Sequence, residues 1–257
     1  MQWEKINVCV QKWMKQARKI ILEGRTKELC VEEKTSRCDL VTNVDKFIEK
    51  FYVDRIRETF PNSKILGEEG EADKDLDNFK GLRWIIDPID GTMNFVKQHD
   101  HFASMIAVCE NGIEKLGYIL DVTEDELYWG GPECGVFCND QKVAPPKNLP
   151  LEEGLFGVGG KMLLSNYRNV QSAAKKSLGV RIYGSSGIEF IHVLTGKNVS
   201  YLSHLRPWDY AAGKILAETL GLVVKTIDEE SLDMLSSSDV LVATKNAHQG
   251  IIKLMNS

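Results

Sequence analysis

The chain has 257 residues, 43% of them hydrophobic and 27% charged, which is typical of a soluble globular protein with a substantial core. Its formal net charge of −5 provides no basic excess for binding nucleic acid or an anionic membrane. No apolar run reaches the roughly 20 residues that span a bilayer, and the charged N-terminal stretch is unlike a signal peptide. The six cysteines lack CxxC spacing, which favours reduced thiols, so we expect a cytoplasmic protein.

Two amphipathic helices are predicted in the first 60 residues, because apolar residues recur there at helical spacing. We assign these residues to the buried faces: Trp3, Ile6, Val10, Trp13, Ala17 and Ile21 in the first helix, and Val44, Phe47, Ile48, Phe51 and Ile56 in the second. The second helix stops at Pro61. The polar residues 24–39 between the helices predict a mobile excursion or a weak hairpin.

Short strands are predicted in the next segment. The stretches KILG, RWII, FASMIAV, KLGYIL and ELYW carry strand signals, and the Asn111-Gly112 pair predicts a hairpin turn. Pro145 and Pro146 then mark a boundary. Beyond it strands and helices alternate as far as a last short helix. The pattern predicts an α+β half, residues 1–144, joined to an α/β half, residues 145–257.

An acidic turn directly follows a strand in the stretch WIIDPIDGTMNFV. Asp87 and Asp90 repel each other and lose hydration there unless a cation joins them. Because Mg²⁺ prefers carboxylate and carbonyl oxygens, the turn can present both side chains and the Ile89 carbonyl to one or two metal ions. Gly91 and Thr92 then begin a helix whose free N–H groups suit a phosphate. The alternative is a plain turn in which Asp90 caps that helix.

Two further acidic turns follow strands. The stretch GEEG contains Glu68 and Glu69, and RPWDYAAG places Asp209 at the start of a helix. Taken separately, the first is a solvated turn and the second a plain helix cap. Three acidic turns, each placed after a strand, favour a shared metal site over three unrelated turns.

The elements GEE, WIIDPIDGTMNF and PWDYAAG, in this order and at this spacing, resemble the inositol monophosphatase family of magnesium-dependent phosphatases. The segment KTSRCDLVTNVD resembles the mobile loop and following helix of that family, and the likeness covers nearly the whole chain. It implies the layered α-β-α-β-α sandwich of the sugar-phosphatase type and a homodimer. It also implies a requirement for Mg²⁺, with Mn²⁺ as a substitute, inhibition by Li⁺, and a small phosphorylated metabolite as the substrate.

The resemblance also assigns roles to residues. Its metal ligands, which hold two ions and share a weaker third, are Glu68, Asp87, the Ile89 carbonyl, Asp90 and Asp209. Its phosphate and substrate contacts are Asp90, Gly91, Thr92, Gly184, Ser185, Leu202 and Asp209. Thr92, hydrogen-bonded to Asp45, orients the attacking water, and Glu68 helps to deprotonate it. Glu69 supports the site, and Lys34 and Asp39 belong to the mobile loop.

The sequence departs from the family pattern at the wall that contacts the alcohol part of the substrate. Family members acting on inositol phosphates commonly carry a glutamate about seven residues before the WD aspartate. Here Leu202 stands at that distance, with Tyr201 and Ser203 beside it, in a stretch that is one residue short. The segment YGSSGIEF keeps Gly184 and Ser185 but adds Glu189. These changes leave the phosphate chemistry untouched.

We therefore expect a Mg²⁺-dependent phosphomonoesterase of broad specificity. Its substrate stays open among inositol phosphate, fructose 1,6-bisphosphate, NADP(H) and 3′-phosphoadenosine nucleotides. A hypothesis of another class also stays open, in which a regulatory binding protein has kept the fold and lost turnover.

Overall fold

The computed structural model describes residues 2–25, 29–36 and 39–255. In these ranges the chain forms eight α-helices: α1 (Gln2–Gly24), α2 (Asn43–Thr59), α3 (Thr92–Lys97), α4 (Gly160–Leu164), α5 (Val170–Lys176), α6 (Ser186–Leu194), α7 (Pro207–Thr219) and α8 (Lys245–Met255). Two short 3₁₀ helices cover Leu151–Glu153 and Tyr167–Asn169. No helix in the described ranges is long and apolar enough to cross a membrane.

The strands of the first half form a hairpin and a large sheet. They are β1 (Val31–Ser36), β2 (Asp39–Thr42), β3 (Lys64–Gly67), β4 (Leu82–Asp90), β5 (Ala103–Glu110), β6 (Ile113–Asp121), β7 (Glu126–Gly131), β8 (Gly135–Cys138) and β9 (Gln141–Lys142). Strands β1 and β2 pair with each other, which matches the weak hairpin expected there. Strands β3 to β9 form one sheet in chain order, with β3 and β4 parallel and the other pairs antiparallel.

The strands of the second half form a mixed five-stranded sheet. They are β10 (Leu155–Val158), β11 (Gly179–Arg181), β12 (Ser200–Leu205), β13 (Val223–Thr226) and β14 (Ser238–Ala243). Their order is β11-β10-β12-β14-β13. Strand β10 runs parallel to both its neighbours, whereas β14 runs antiparallel to both of its own.

Three apolar cores join these elements into five layers. One core lies between α1, α2 and one face of the seven-stranded sheet. A second lies between the other face of that sheet, α6, α7 and the five-stranded sheet. The third lies between the five-stranded sheet and α5 and α8. The α-β-α-β-α sandwich expected from the sequence is therefore confirmed.

Two local predictions differ from the structure, and one is confirmed in detail. Phe47 was assigned to the buried face of α2, but it is 57% exposed. The buried face of this helix lies on its other side and includes two acidic residues, Asp45 and Glu49, besides its apolar residues. Strands β8 and β9 were not predicted. The two-residue turn between β5 and β6 has φ values of 54° at Asn111 and 81° at Gly112, and it is the predicted hairpin.

The packing of α7 against α6 depends on a glycine. A Cβ atom on Gly213 would overlap the Phe190 ring. Gly213→Ala should therefore lower the free energy of unfolding by about 1–3 kcal/mol in urea titrations. Gly250→Ala in α8 is the matched control, because its Cβ would meet only Leu151 at 4.0 Å. That change should be neutral or stabilising by up to about 1 kcal/mol. Equal effects at both positions would contradict this account of the packing.

Candidate active site

An irregularity in β4 brings its two aspartates to one side of the sheet. In a regular strand, residues three apart point to opposite faces. The pairing of β4 with β5 shifts register between Asp87 and Asp90, which pair with Met105 and Ala103. The resulting bulge turns both carboxylates toward the same cavity. The Asp-Pro-Ile-Asp segment is thus a bulged strand end and not a free turn.

Asp209 completes a cluster with these two aspartates. Carboxylate oxygens of Asp87, Asp90 and Asp209 lie within 4.8 Å of one another. They line a cavity of about 160 Å³ at the ends of β3 and β4 and the start of α7. The other residues that line this cavity are Leu40, Glu68, Ile89, Gly91, Thr92, Met93 and Gly184. The structure therefore brings together all the predicted metal ligands from three separate segments of the chain.

Asp87 carries the clearest evidence that this cluster fits a cation. Its side chain is 1% exposed, and neither carboxylate oxygen has a hydrogen-bond partner in the described part of the chain. Burial raises the pKa of Asp87 well above its ordinary value, and the charges of Glu68, Asp90 and Asp209 raise it further. A buried carboxylate without partners is costly, and an oxygen-only ligand set suits Mg²⁺. These residues therefore fit a magnesium site.

Asp90 joins the two halves of the chain. One carboxylate oxygen accepts hydrogen bonds from the Ser186 N–H at 3.1 Å and the Ser186 hydroxyl at 2.9 Å. The other accepts from the Ser185 hydroxyl and from the Gly187 N–H at 2.7 Å. Burial raises the pKa of Asp90, and these hydrogen bonds oppose the shift. The alternative expectation, that Asp90 caps the helix that follows it, is wrong, because it caps α6 instead.

Thr92 and Asp45 form the predicted pair beside the acidic cluster. The Thr92 hydroxyl lies 2.9 Å from an Asp45 carboxylate oxygen, to which it donates, and 3.1 Å from the Ile89 carbonyl. The other Asp45 oxygen accepts from the Thr42 N–H at 2.9 Å, which completes the N-terminal capping box of α2. Burial is the main cause of the raised pKa of Asp45. Because Asp45 is fixed by α2, the Thr92 hydroxyl has a defined orientation.

The β1–β2 hairpin reaches the same site through Lys34. Its ammonium lies 2.9 Å from Glu68 and 2.5 Å from Glu69. Burial alone lowers the pKa of Lys34, but the two carboxylates outweigh it and the pKa is raised. Burial raises the pKa of Glu69 to about 7, although Lys34 opposes this. Asp39, the other predicted loop residue, begins β2, and its side chain is outside the described part of the structure.

Two buried residues that the sequence analysis did not identify hold the site in place. Glu49 on α2 accepts the N–H of Glu69 at 2.8 Å and that of Glu71 at 3.0 Å, so it fixes the GEEG turn. The Asn94 amide on α3 donates to the carbonyls of His101 at 2.8 Å and Tyr183 at 2.7 Å, so it ties the two halves together. Glu49 lies one helical turn after Asp45 and therefore on the same face of α2, and this spacing was a sequence signal for its burial. Nothing in the local sequence indicated the contacts of Asn94.

A second cavity, of about 380 Å³, adjoins the acidic one and shares Asp90, Gly184 and Asp209 with it. Ser203 lines this cavity, but Leu202 does not. Leu202 is fully buried in the core between the five-stranded sheet and α5 and α8. The prediction that Leu202 contacts the substrate is therefore wrong. Neighbouring residues of a strand face opposite sides of the sheet. A shift of one residue in the predicted register therefore selected Leu202, which faces the core, in place of Ser203, which faces the cavity.

Comparisons with known proteins match this chain to similar proteins over nearly its full length. The model of the inositol monophosphatase family matches residues 2–257. An inositol-1-monophosphatase of Bacillus subtilis is 41% identical over 98% of this chain and 96% of that protein. A fructose-1,6-bisphosphatase/inositol-1-monophosphatase of Thermotoga maritima is 31% identical over 88% and 86%. A solved IMPase/NADP phosphatase complexed with Mg²⁺ and phosphate superimposes with a TM-score of 0.92 at 30% identity, covering 100% of this chain and 97% of that one.

The five-layered fold with its acidic cavity defines a phosphatase that hydrolyses phosphate monoesters. More specifically, the chain belongs to the inositol monophosphatase family. Its acidic cluster fits the magnesium dependence of such enzymes.

The unpartnered carboxylate predicts an unusual response to mutation. In metal-free protein, Asp87→Asn should raise the free energy of unfolding by about 1–3 kcal/mol, because it removes a buried, repelled charge. The same variant should lose most of the thermal stabilisation that Mg²⁺ gives to the wild type. Thermal unfolding with EDTA and with Mg²⁺ measures both effects. Asp54→Asn, at an exposed pair with Lys50, is the control and should alter neither.

The difference in the free energy of unfolding between metal-free Asp87→Asn and the wild type should also depend on pH. The native pKa of Asp87 is raised above the value of about 3.9 in an unfolded chain, so the native state binds the extra proton. The stability that protonated Asp87 contributes to the native state is therefore fully present below about pH 4 and is lost as the pH rises. Metal-free Asp87→Asn and wild type should unfold alike near pH 4 and diverge toward pH 7. A difference that shrinks toward pH 7 would contradict the assigned repulsion.

Proposed function

We propose that this protein is a Mg²⁺-dependent phosphomonoesterase of broad specificity, acting on inositol monophosphates and on larger phosphate esters. The observation that carries the proposal is the buried, unpartnered Asp87 within a cluster of three aspartates beside the Thr92–Asp45 pair. A buried carboxylate cluster needs a cation, and a cation beside an oriented hydroxyl suits phosphate ester hydrolysis.

The proposed metal ligands are Glu68, Asp87, the Ile89 carbonyl, Asp90 and Asp209, which line one cavity. When bound there, Mg²⁺ would supply the positive charge that makes water nucleophilic near neutral pH and stabilises the leaving oxygen. We extend the proposal to two or three ions per site, to Mn²⁺ as a substitute and to inhibition by Li⁺. The first two follow from the number and type of oxygen ligands.

The remaining roles belong to the residues of the chain itself. Because the Thr92 hydroxyl donates to Asp45, its lone pairs are free to accept a hydrogen bond from the attacking water. Glu68 lines the same cavity and is proposed to accept the proton of that water. The N–H groups of Gly91 and Thr92 are proposed to bind the phosphate. Gly91 has a φ of 90°, and a Cβ atom at this position would lie 2.9 Å from the Ser185 Cβ, so a side chain here would strain the backbone and collide with Ser185.

The larger cavity is proposed to hold the alcohol part of the substrate. Its outer wall includes Lys161, Ile182, Ser203 and His204. The only glutamate on it, Glu189, binds the Tyr183 N–H at 3.0 Å and Asn198 at 3.2 Å and is thus committed to the protein. Asp90 and Asp209, which also line the cavity, are assigned to the metal site, so the described outer wall leaves no carboxylate for sugar hydroxyls, and this supports broad specificity. Two similar proteins, one named as a bisphosphatase and one as an NADP phosphatase, agree with this.

Assembly and location complete the proposal. We propose a homodimer in the cytoplasm, in which residues 1–144 and 145–257 of each chain act as one unit. The Asp90 and Asn94 hydrogen bonds between the halves support the single unit. Sedimentation at micromolar concentration tests the dimer.

The direct test of function is phosphate release from a panel of esters, with Mg²⁺ and after exhaustive chelation. The panel comprises inositol 1-phosphate, fructose 1,6-bisphosphate, NADP and a 3′-phosphoadenosine nucleotide. We expect turnover of several members with Mg²⁺ and none with EDTA, because the ligands are all oxygen atoms. Release unaffected by chelation would contradict the metal mechanism. No release from any ester, despite Mg²⁺ binding, would favour a regulatory protein without turnover.

The proposed substrate wall can be tested at Ser203, which lines the larger cavity. Ser203→Glu places a carboxylate in the larger cavity and should raise kcat/KM for inositol 1-phosphate relative to NADP, because sugar hydroxyls gain a partner. Leu202→Glu is the matched control. It buries a charge in the core, so it should destabilise the protein without a selective gain. A selective gain in Leu202→Glu instead would show that the strand register is wrong.

A further inference from the structure

A third cavity lies at the opposite end of β4 from the acidic cluster. It measures about 350 Å³ and is formed by residues 77–80, the turn between β5 and β6, and residues 232–235 of the second half. Arg83, near the start of β4, lines it. Asp87 lies four positions after Arg83 along the strand, or about 13 Å at the usual rise. This cavity is therefore separate from the two already described.

Arg83 is a buried cation without an anionic partner. Its side chain is 6% exposed, and one terminal nitrogen donates to the Leu76 carbonyl. Its Nε atom is buried and has no hydrogen-bond partner, and no carboxylate among the described residues forms an ion pair with it. A buried charge without a partner is costly, so the guanidinium is expected to bind an anion.

The acidic residues of the cavity do not supply that anion. Glu114 binds Lys214 at 2.7 Å. Asp233 accepts the Leu235 N–H at 3.1 Å and the Ser236 hydroxyl at 2.5 Å. Asp77, also in the lining, is exposed to solvent.

A second cation, Lys80, also lines the cavity and is exposed, with no ion pair among the described residues. Arg83 and Lys80 are the two cations of a lining that also contains Asp77, Glu114 and Asp233, and of these acids Glu114 is paired with Lys214. A guanidinium binds phosphate through two parallel hydrogen bonds.

We propose that this cavity binds a phosphate group, either as inorganic phosphate or as part of a small phosphate ester. The proposal is independent of the catalytic function. The cavity spans the two halves of the chain, and its far wall is attached to α7, because the Tyr210 hydroxyl donates to the Asp233 carbonyl at 2.5 Å or to that of Ser236 at 2.8 Å. A bound phosphate therefore links β4 to the loop that packs on α7 and should stabilise the folded protein.

The test uses metal-free protein, in which the carboxylates of the catalytic cluster repel phosphate. Inorganic phosphate is titrated at constant ionic strength with EDTA present, and binding is followed by calorimetry and thermal unfolding. We expect saturable binding and a rise in Tm for the wild type. Arg83→Gln should bind phosphate at least tenfold more weakly, whereas Arg55→Gln, an exposed control beside Glu58, should bind like the wild type. Equal binding by Arg83→Gln and wild type would overturn the proposal.

A second variant covers the case in which Arg83→Gln does not fold. Lys80 is on the surface, so Lys80→Gln should keep the stability of the wild type and weaken phosphate binding severalfold. Phosphate binding that is unchanged in Lys80→Gln would then overturn the proposal. Replacement of inorganic phosphate by a small ester, such as glycerol phosphate, distinguishes the two ligand sources. Tighter binding of the ester would assign the rest of the cavity to its organic part.

Discussion

The structure depends on the burial of negative charge at the end of β4. Asp87 is excluded from water, has no hydrogen-bond partner among the described residues and lies against two further aspartates. In the absence of a cation this arrangement destabilises the fold, and with a cation it becomes an organised binding site. The three acidic turns come from distant parts of the chain, so the five-layered fold is what opposes their repulsion. Stability and chemistry are therefore coupled at this point.

The two halves meet at the same place. Asp90 is both a member of the acidic cluster and the acceptor for the first turn of α6. Asn94, which lies four residues after Asp90 in α3, donates a hydrogen bond to the Tyr183 carbonyl of the second half. A displacement of the halves would therefore move the acidic cluster as well as the wall of the larger cavity. Hydrogen bonds from both halves hold the acidic cavity in place, whereas the larger cavity is bounded by exposed residues such as Lys161 and His204. Under the proposed function, this division suits constant phosphate chemistry with variable alcohols.

The helices, most strands and the α+β and α/β halves could be predicted from local signals in the sequence, whereas the five-layered sandwich was implied by the family resemblance. Periodicity revealed the helices, and acidic turns after strands revealed Glu68, Asp87 and Asp209. Contacts between distant segments were not predictable, which is why the role of Asn94 went unrecognised. Leu202 was misplaced for a related reason, since one residue of register decides whether a strand side chain faces the core or the cavity. Spacing indicated this stretch of β12, but only the structure showed that Ser203 lines the larger cavity and that Leu202 lies in the core.

Anomalous diffraction from crystals soaked in Mn²⁺ would show whether the Asp87 cluster binds cations. Mn²⁺ shares the preference of Mg²⁺ for oxygen ligands and is located independently of any assumption about the site. We expect at least one anomalous peak at coordination distance from an Asp87 carboxylate oxygen, with Asp90 and Asp209 also near it. If a fully diffusing soak gives no peak at Asp87 and its carboxylate is instead bonded to protein groups, the cluster is not a cation site.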